Sequence, residues 1–228
     1  MYCTPTLQNP TTAIMSVERR KEIIRICQQY NVLILEDDVN GPLAENAPLP
    51  LASMAPEQVV YIGSLSKTLA AGLRIGALVV PDDVKDRIAA SVRASCWMVS
   101  PVVAEIACEW IRSGRAEHQV TRQKYEMMLR QQLAKEKLQT FEATITPLGF
   151  HVWLTLPEPW RASEFVKEAE LRGVLLKGAG TFAIGRFEAP HAIRIAISCA
   201  RDINQLAQGL DIIVGMLRAG PEPTLSVF

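Results

Sequence analysis

The spacing of apolar positions changes several times along the chain, and each change marks an element. Residues 1–7 read as a short extended segment, broken by Gln8-Asn9-Pro10-Thr11-Thr12. Ser16 is placed to cap a helix in which Val17, Arg20, Ile24 and Cys27, with Ile23 and Tyr30, recur at helical spacing as far as Asn31. Val32-Leu33-Ile34-Leu35 is then a continuous apolar run, the pattern of a parallel strand buried on both faces, and it stops on Glu36-Asp37-Asp38. Residues 59–62 repeat that pattern and end at Gly63-Ser64; residues 77–80 form a third such strand, stopped by Pro81. Asp82 or Asp83 is placed to cap a helix with Val84, Ile88 and Val92 on one face, and 101–111 reads as another helix. Residues 115–138 form a long charged helix, with Val120, Met127 or Met128, Leu133 and Leu138 along one side.

Past that helix the pattern changes. Residues 143–146 and 150–156 read as strands, the second alternating as Phe150, Val152, Leu154 and Leu156. A helix over 162–171 closes at Gly173, strands are predicted over 174–176 and 193–197, and a last helix over 203–217. The Pro-rich tail from Ala219 is expected to fray. Helices alternating with buried strands predict an α/β fold with a mainly parallel sheet, followed by a smaller α+β part. The expected division is 1–114, a connecting helix over 115–140, and 141–228. In such sheets ligands gather beyond the strand ends, where the acidic cluster 36–38 and the Ser/Lys cluster 64–67 lie.

Composition narrows the classes. Lysine plus arginine balance aspartate plus glutamate at 24 each, so the chain lacks the basic excess of a general nucleic-acid binder. The five cysteines stand singly, away from zinc-ligand spacing, and predict reduced, mostly buried thiols. No run of about 18 apolar residues suggests a membrane span, and residues 1–9 lack the build of a secretory signal. The expectation is a cytoplasmic protein.

The candidate chemistry centres on Ser64-Leu65-Ser66-Lys67-Thr68-Leu69-Ala70-Ala71-Gly72-Leu73-Arg74-Ile75-Gly76. A lysine just past a buried strand needs compensation if it is to stay charged there, and a Schiff base with an aldehyde cofactor supplies it. The flanking small residues let a ligand approach the backbone, and the hydroxyls of Ser64 and Ser66 with the Arg74 fork suit a phosphate. Arg194 stands inside the apolar strand Ile193-Arg194-Ile195-Ala196-Ile197, where a guanidinium needs an anion, either a structural carboxylate or a ligand's.

This motif resembles the cofactor-lysine motif of fold-type I, class I/II aminotransferases. The spacing from Lys67 to Arg74, with Gly72 and Gly76, most resembles the aminotransferase-like domain of MocR-type regulators in the GntR superfamily, although Ala71 stands where proline is frequent. The resemblance implies pyridoxal 5'-phosphate (PLP) as cofactor, bound covalently by Lys67. It extends to Pro5-Thr6-Leu7-Gln8-Asn9-Pro10-Thr11, implying that Asn9 donates to the cofactor's phenolic oxygen; the residues alone read equally as an Asn-Pro turn. In Leu35-Glu36-Asp37-Asp38-Val39 it implies that Asp37 faces the pyridine nitrogen and keeps it protonated, a role to set beside helix capping or a solvated loop. Gly149-Phe150-His151-Val152-Trp153-Leu154 and Gly178-Ala179-Gly180-Thr181-Phe182 resemble the family's small domain, in which Arg194 holds a substrate α-carboxylate. One departure stands out: Asn40 occupies the place of the usual tyrosine that hydrogen-bonds the phenolic oxygen.

The implied function is amino-acid transamination between amino acids and 2-oxo acids, or effector sensing for a DNA-binding module outside this chain. A homodimer is implied as well. The family's phosphate-binding turn and ring-stacking aromatic precede the Asn-Pro turn, so a chain beginning at Met1 is expected to be a partial large domain with exposed apolar surface, unable by itself to read DNA.

Overall fold

The computed structural model describes residues 1–186 and 188–221; the fraying expected of the tail falls, from residue 222 on, outside the described residues. Two compact units divide the chain: residues 1–8 with 13–125, and 9–12 with 126 onward.

In the first unit, β1 (Tyr2–Cys3), β2 (Ile34–Asp37), β3 (Val59–Ser64) and β4 (Gly76–Val79) form a sheet in that order. β1, β2 and β3 run parallel, while β4 returns antiparallel beside β3 with Ser64 opposite Gly76. α1 (Val17–Gln29) is capped by Ser16, whose hydroxyl accepts from the Arg19 N–H. It turns Arg20, Ile24 and Cys27 inward, and Ile24 and Cys27 meet Ile34, Leu51, Ala55 and Val59; Leu51 opens the short α2 (Leu51–Met54).

Three expectations need correction. β2 begins two residues later than the apolar run suggests and is buried on one face only: Ile34 and Glu36 are fully buried, whereas Leu35 is exposed. The third strand is exposed along its whole length. Neither Asp82 nor Asp83 caps α3 (Lys85–Cys96) through its side chain, because a 3-10 turn over Asp82–Val84 leads into that helix. α4 (Pro101–Arg112) follows, and apolar side chains such as Leu78, Val79, Trp97, Val102 and Ile111 are exposed.

α5 (Arg115–Leu138) gives its first turns to the first unit and its last turns to the second. The second unit's sheet has the order β5 (Ala143–Ile145), β6 (His151–Thr155), β8 (Ala192–Ala196) and β7 (Lys177–Gly178), all antiparallel. The strand expected over 174–176 forms instead at 177–178. α6 (Ala162–Leu171) and α7 (Ile203–Ala219) pack Phe165, Leu206, Leu210 and Ile213 onto Val152, Leu154, Ile193 and Ile195. Arg130 of α5, almost buried, donates to the carbonyls of Ile197 and Ala200 at 2.8 Å each. Met127 is a packing residue, as expected, whereas Met128 points outward. The cysteines are all free, but Cys96, Cys108 and Cys199 are exposed rather than buried.

The polar interior of the first unit is built on Arg20, which has no exposed surface. Its Nε donates to the Met15 carbonyl, Nη1 to that of Leu49, and Nη2 to the Pro5 carbonyl and the Thr6 hydroxyl, all at 3.0–3.2 Å. Glu36 lies 3.7 Å from Nη1 and accepts the Leu51 and Ala52 N–H groups at 2.8 and 2.9 Å. Burial pushes Glu36 above the ordinary glutamate value of 4.5, against these N–H donors. Asp38 is also buried; burial raises it above 3.8, opposed by hydrogen bonds from Thr6 and Tyr61 and by the charge of Arg20.

Two outcomes follow from this network. Arg20→Ala strands buried acceptors and a buried carboxylate, and is expected to lower the stability of the protein by about 3–5 kcal/mol in urea unfolding; a loss under about 1 kcal/mol counts against the network. A raised folded-state carboxylate contributes stability that is complete below its unfolded value and is lost as pH rises through the folded one. Asp38→Asn is therefore expected to gain stability relative to the parent as pH rises from about 4 to 7, measured by unfolding at each pH; a constant difference contradicts the shift.

Candidate active site

Alternation along β1 and β2 sets Tyr2, Leu35 and Asp37 on the open face of the first sheet, opposite to Glu36. Asp37 is the last residue of β2 and is half-buried. Its Oδ2 accepts the Tyr2 hydroxyl at 2.6 Å, and its Oδ1 accepts the Val39 N–H at 3.3 Å. Because Asp37 pairs with Ile62 and Ser64 lies two residues further along β3, Asp37 and Ser64 share that face.

The next acid has a different fate. Asp38 turns inward, and its Oδ2 accepts the Tyr61 hydroxyl at 3.1 Å. Burial, then the adjacent Asp38 charge and hydrogen bond, push the Tyr61 phenol up to about 12. Gly41 is required beside this carboxylate, since a Cβ there would stand 2.1 Å from Asp38 Oδ2. Asn40, where the resemblance leads one to look for tyrosine, is buried too. Its Nδ2 donates to the Leu7 carbonyl at 3.2 Å, and its Oδ1 has no partner among the described residues.

Lys67 sits in the turn between β3 and β4. The Leu65 N–H bonds the Ile75 carbonyl at 3.0 Å, and Leu69 N–H returns to the Leu65 carbonyl at 2.9 Å, closing the turn. Thr68 and Leu69 are buried and anchor it, while Lys67 itself is exposed. Exposure corrects the sequence argument: what marks Lys67 is its place on a turn held by buried neighbours, not burial of its charge. The Ser64 hydroxyl donates to the Ile75 carbonyl at 3.3 Å and accepts the Ser66 N–H at 3.1 Å, so it holds the turn's shape. Arg74 is exposed and closes the 3-10 turn Ala71–Leu73 in the left-handed region, at φ 51°.

In the second unit the structure brings Asn9 and Arg194 together. Nη1 of Arg194 donates to Asn9 Oδ1 at 2.9 Å. The guanidinium carbon lies 5.1 Å from the centre of the Phe182 ring, at cation–π distance. Among the described residues no carboxylate forms a salt bridge with Arg194, and its buried Nε has no partner. Burial pushes the guanidinium below its ordinary value, opposed only by the nearby Cys199 thiol. The structural salt bridge that the sequence left open is thus absent among the described residues, and a charged donor remains to be matched.

Tyr2 was missed from the sequence, because its partnership with Asp37 depends on strand register. In the sequence Arg20 shows only as a member of the helical face. The signal for Arg20 was its place among Val17, Ile24 and Cys27, where a charge has to be paired or hydrogen-bonded.

The donor set fits pyridoxal phosphate. It offers a carboxylate on the open sheet face for a ring nitrogen and an exposed primary amine for an aldehyde. Ser66 and Arg74 are suited to a phosphate. An aminotransferase class I and II family model matches residues 1–213. The chain is 34% identical over 218 residues to the uncharacterized HTH-type transcriptional regulator YdeF of Bacillus subtilis, covering 95% of this chain and 47% of YdeF. It is 29% identical over 191 residues to an uncharacterized aminotransferase of Saccharolobus solfataricus, covering 80% of this chain and 47% of that protein. The chain therefore spans about half the length of these curated relatives. Among solved structures, α-aminoadipate aminotransferase LysN of Thermus thermophilus, complexed with N-(5'-phosphopyridoxyl)-L-leucine, superimposes with a TM-score of 0.86 at 21% identity, over 96% of this chain and 58% of LysN. That likeness is one of fold. The family match over nearly the whole chain makes the protein a member of the aminotransferase class I and II family.

Proposed function

We propose that this chain carries amino-acid transamination, with the cofactor joined covalently to Lys67 Nζ and the amino-acid carboxylate held by Arg194. The observation that carries the reading is Arg194, a partly buried guanidinium held by Asn9 and Phe182 and without an acidic partner among the described residues. A carboxylate ligand takes two parallel hydrogen bonds from such a fork, and those are the bonds its Nε and Nη groups can give.

When bound, pyridoxal phosphate supplies an electron sink for the substrate Cα. The chain's own groups supply the rest. Asp37 accepts the proton-bearing ring nitrogen and keeps that proton in place. With the cofactor bound, Lys67 Nζ would serve as the general base that takes the substrate Cα proton and as the general acid that returns one. Asn9 orients Arg194 through its Oδ1, while its Nδ2 serves the cofactor's phenolic oxygen. Ser64, Ser66 and Arg74 form the phosphate side; Ser64 acts chiefly by shaping the turn. Amino acids and 2-oxo acids are the substrate class. A homodimer in the cytoplasm completes the reading, and no helix of the described residues is long and apolar enough to cross a membrane.

A second reading is supported by Asn40 and by relatives named HTH-type transcriptional regulators: an effector-sensing domain of a MocR/GntR-type regulator, in which amino-acid binding is not followed by full turnover. Asn40 is tied to the Leu7 carbonyl and cannot ionise as a tyrosine does.

Borohydride reduction in the presence of pyridoxal phosphate, followed by peptide mass mapping, is expected to label Lys67; label elsewhere, or none in folded protein, overturns the assignment. Arg194→Lys removes the fork and is expected to raise the amino-acid concentration needed for a spectral response about tenfold or more, with Lys67 labelling intact. Conversion of the bound pyridoxal form to the pyridoxamine form across an amino-acid panel supports the enzyme; saturable binding without conversion supports the sensor.

A further inference from the structure

Tyr2 has no part in the reading above, yet it makes the shortest hydrogen bond to Asp37. Tyr2 and Leu35 are opposite one another in the β1–β2 pairing, so Asp37 lies on the same face two residues beyond. The tyrosine ring spans that offset and places its hydroxyl 2.6 Å from Oδ2, at the distance of an O–H···O⁻ bond. The Val39 N–H holds Oδ1 from the other side. A carboxylate terminal torsion is otherwise broad and shallow, so two donors on its two oxygens set the plane of the group. Each oxygen has two lone-pair sites, and these two donors leave room for a third. Packing does not account for the residue, since Tyr2 is 62% exposed. The phenol itself registers the contact: it is raised above 10.0 chiefly by its hydrogen bond to Asp37, with an opposing hydrogen bond from Thr4.

We propose that Tyr2 is a positioning residue, whose hydroxyl fixes the Asp37 carboxylate in the orientation that receives the pyridine nitrogen of pyridoxal phosphate. This rests on the reading of Asp37 as the ring-nitrogen partner. It predicts that ring nitrogen and phenol are coupled through one carboxylate: a proton-bearing nitrogen arriving at Asp37 draws off the negative charge that holds the phenol proton.

Tyr2→Phe removes one oxygen and keeps the ring. Titration of the protein with pyridoxal phosphate is expected to show affinity weakened about three- to tenfold in Tyr2→Phe, as for loss of one partly exposed hydrogen bond to a charged group. In the unsubstituted protein with 13Cζ-labelled tyrosine, the Tyr2 resonance is expected to titrate above 10 without cofactor and to move down by about half a pH unit or more on loading. A purely structural Tyr2 lowers affinity when substituted but leaves that titration unmoved by the cofactor. An unmoved titration overturns the inference, and so does unchanged affinity in Tyr2→Phe. Borohydride labelling separates the two levels. No label on Lys67 in the parent protein overturns the functional reading and this inference together. Label on Lys67 with an unmoved Tyr2 titration overturns the inference alone.

Discussion

The first unit depends on a guanidinium with no access to water. An arginine is rarely placed so deep, and it stays there only if its N–H groups are all directed at oxygens. Arg20 meets that demand by gathering the carbonyls of Pro5, Met15 and Leu49 and the Thr6 hydroxyl, with Glu36 alongside. Pro5 and Thr6 lie on one stem of the loop that carries Asn9, and Met15 on the other. Backbone bonds close the same stems, with Met15 N–H on the Pro5 carbonyl at 2.8 Å and Gln8 N–H on the Ala13 carbonyl at 3.0 Å. Asn40 adds a bond to the Leu7 carbonyl, where the backbone turns through φ 51°. The stems over residues 5–8 and 13–15 are therefore fixed by a residue of α1 and one of the turn after β2, not by their own composition.

The same economy separates three consecutive acids. Glu36, Asp37 and Asp38 differ little in chemistry, but strand alternation and the turn after β2 send them to different surroundings. Glu36 faces α1 and α2 and serves Arg20 and two backbone N–H groups. Asp38 faces Tyr61 and Thr6 and is raised by burial. Asp37 alone reaches the open face, where, among the described residues, a phenol and one backbone N–H hold it. Of the three acids Asp37 is the least enclosed, and its two oxygens keep acceptor sites beyond these two donors. Placement by the fold, and not intrinsic acidity, leaves one of them on the open face and encloses the other two.

Much of this was legible in the sequence, and the failures have physical causes. Long periodic elements such as α1, α5 and α7, and the alternating β6, fall within a residue or two of expectation, because their burial follows one simple period. β2 was displaced because an apolar run shows that a segment is strand-like, but not which of its faces the fold leaves open. The pattern at 174–176 misled for a related reason: Leu176 packs into the core although the strand starts after it. The motif around Lys67 points to the family, yet the lysine itself is exposed and Thr68 and Leu69 are the buried residues of the turn, a difference that local pattern does not reveal. Contacts distant in sequence, such as Tyr2 to Asp37 or Asn9 to Arg194, depend on register and tertiary closure and have no local signature.

Arg194 shows what this arrangement asks of a ligand. A neutral amide and an aromatic face orient the guanidinium without neutralising it, and its depressed protonation equilibrium reflects burial that no carboxylate among the described residues offsets. An anion arriving there gains a charge-assisted bond in a partly dehydrated setting and relieves the stranded Nε at once. Binding of a carboxylate is thus favoured by the protein's own unmet need, whichever chemistry follows. In the proposed reading, turnover is a separate requirement that falls on the groups around Lys67. At position 40 the chain offers an amide committed to the backbone of residue 7 instead of a phenol. In that reading recognition and conversion rest on different residues, Arg194 with Asn9 for the one and the Lys67 turn for the other, so one can be retained while the other is tuned down.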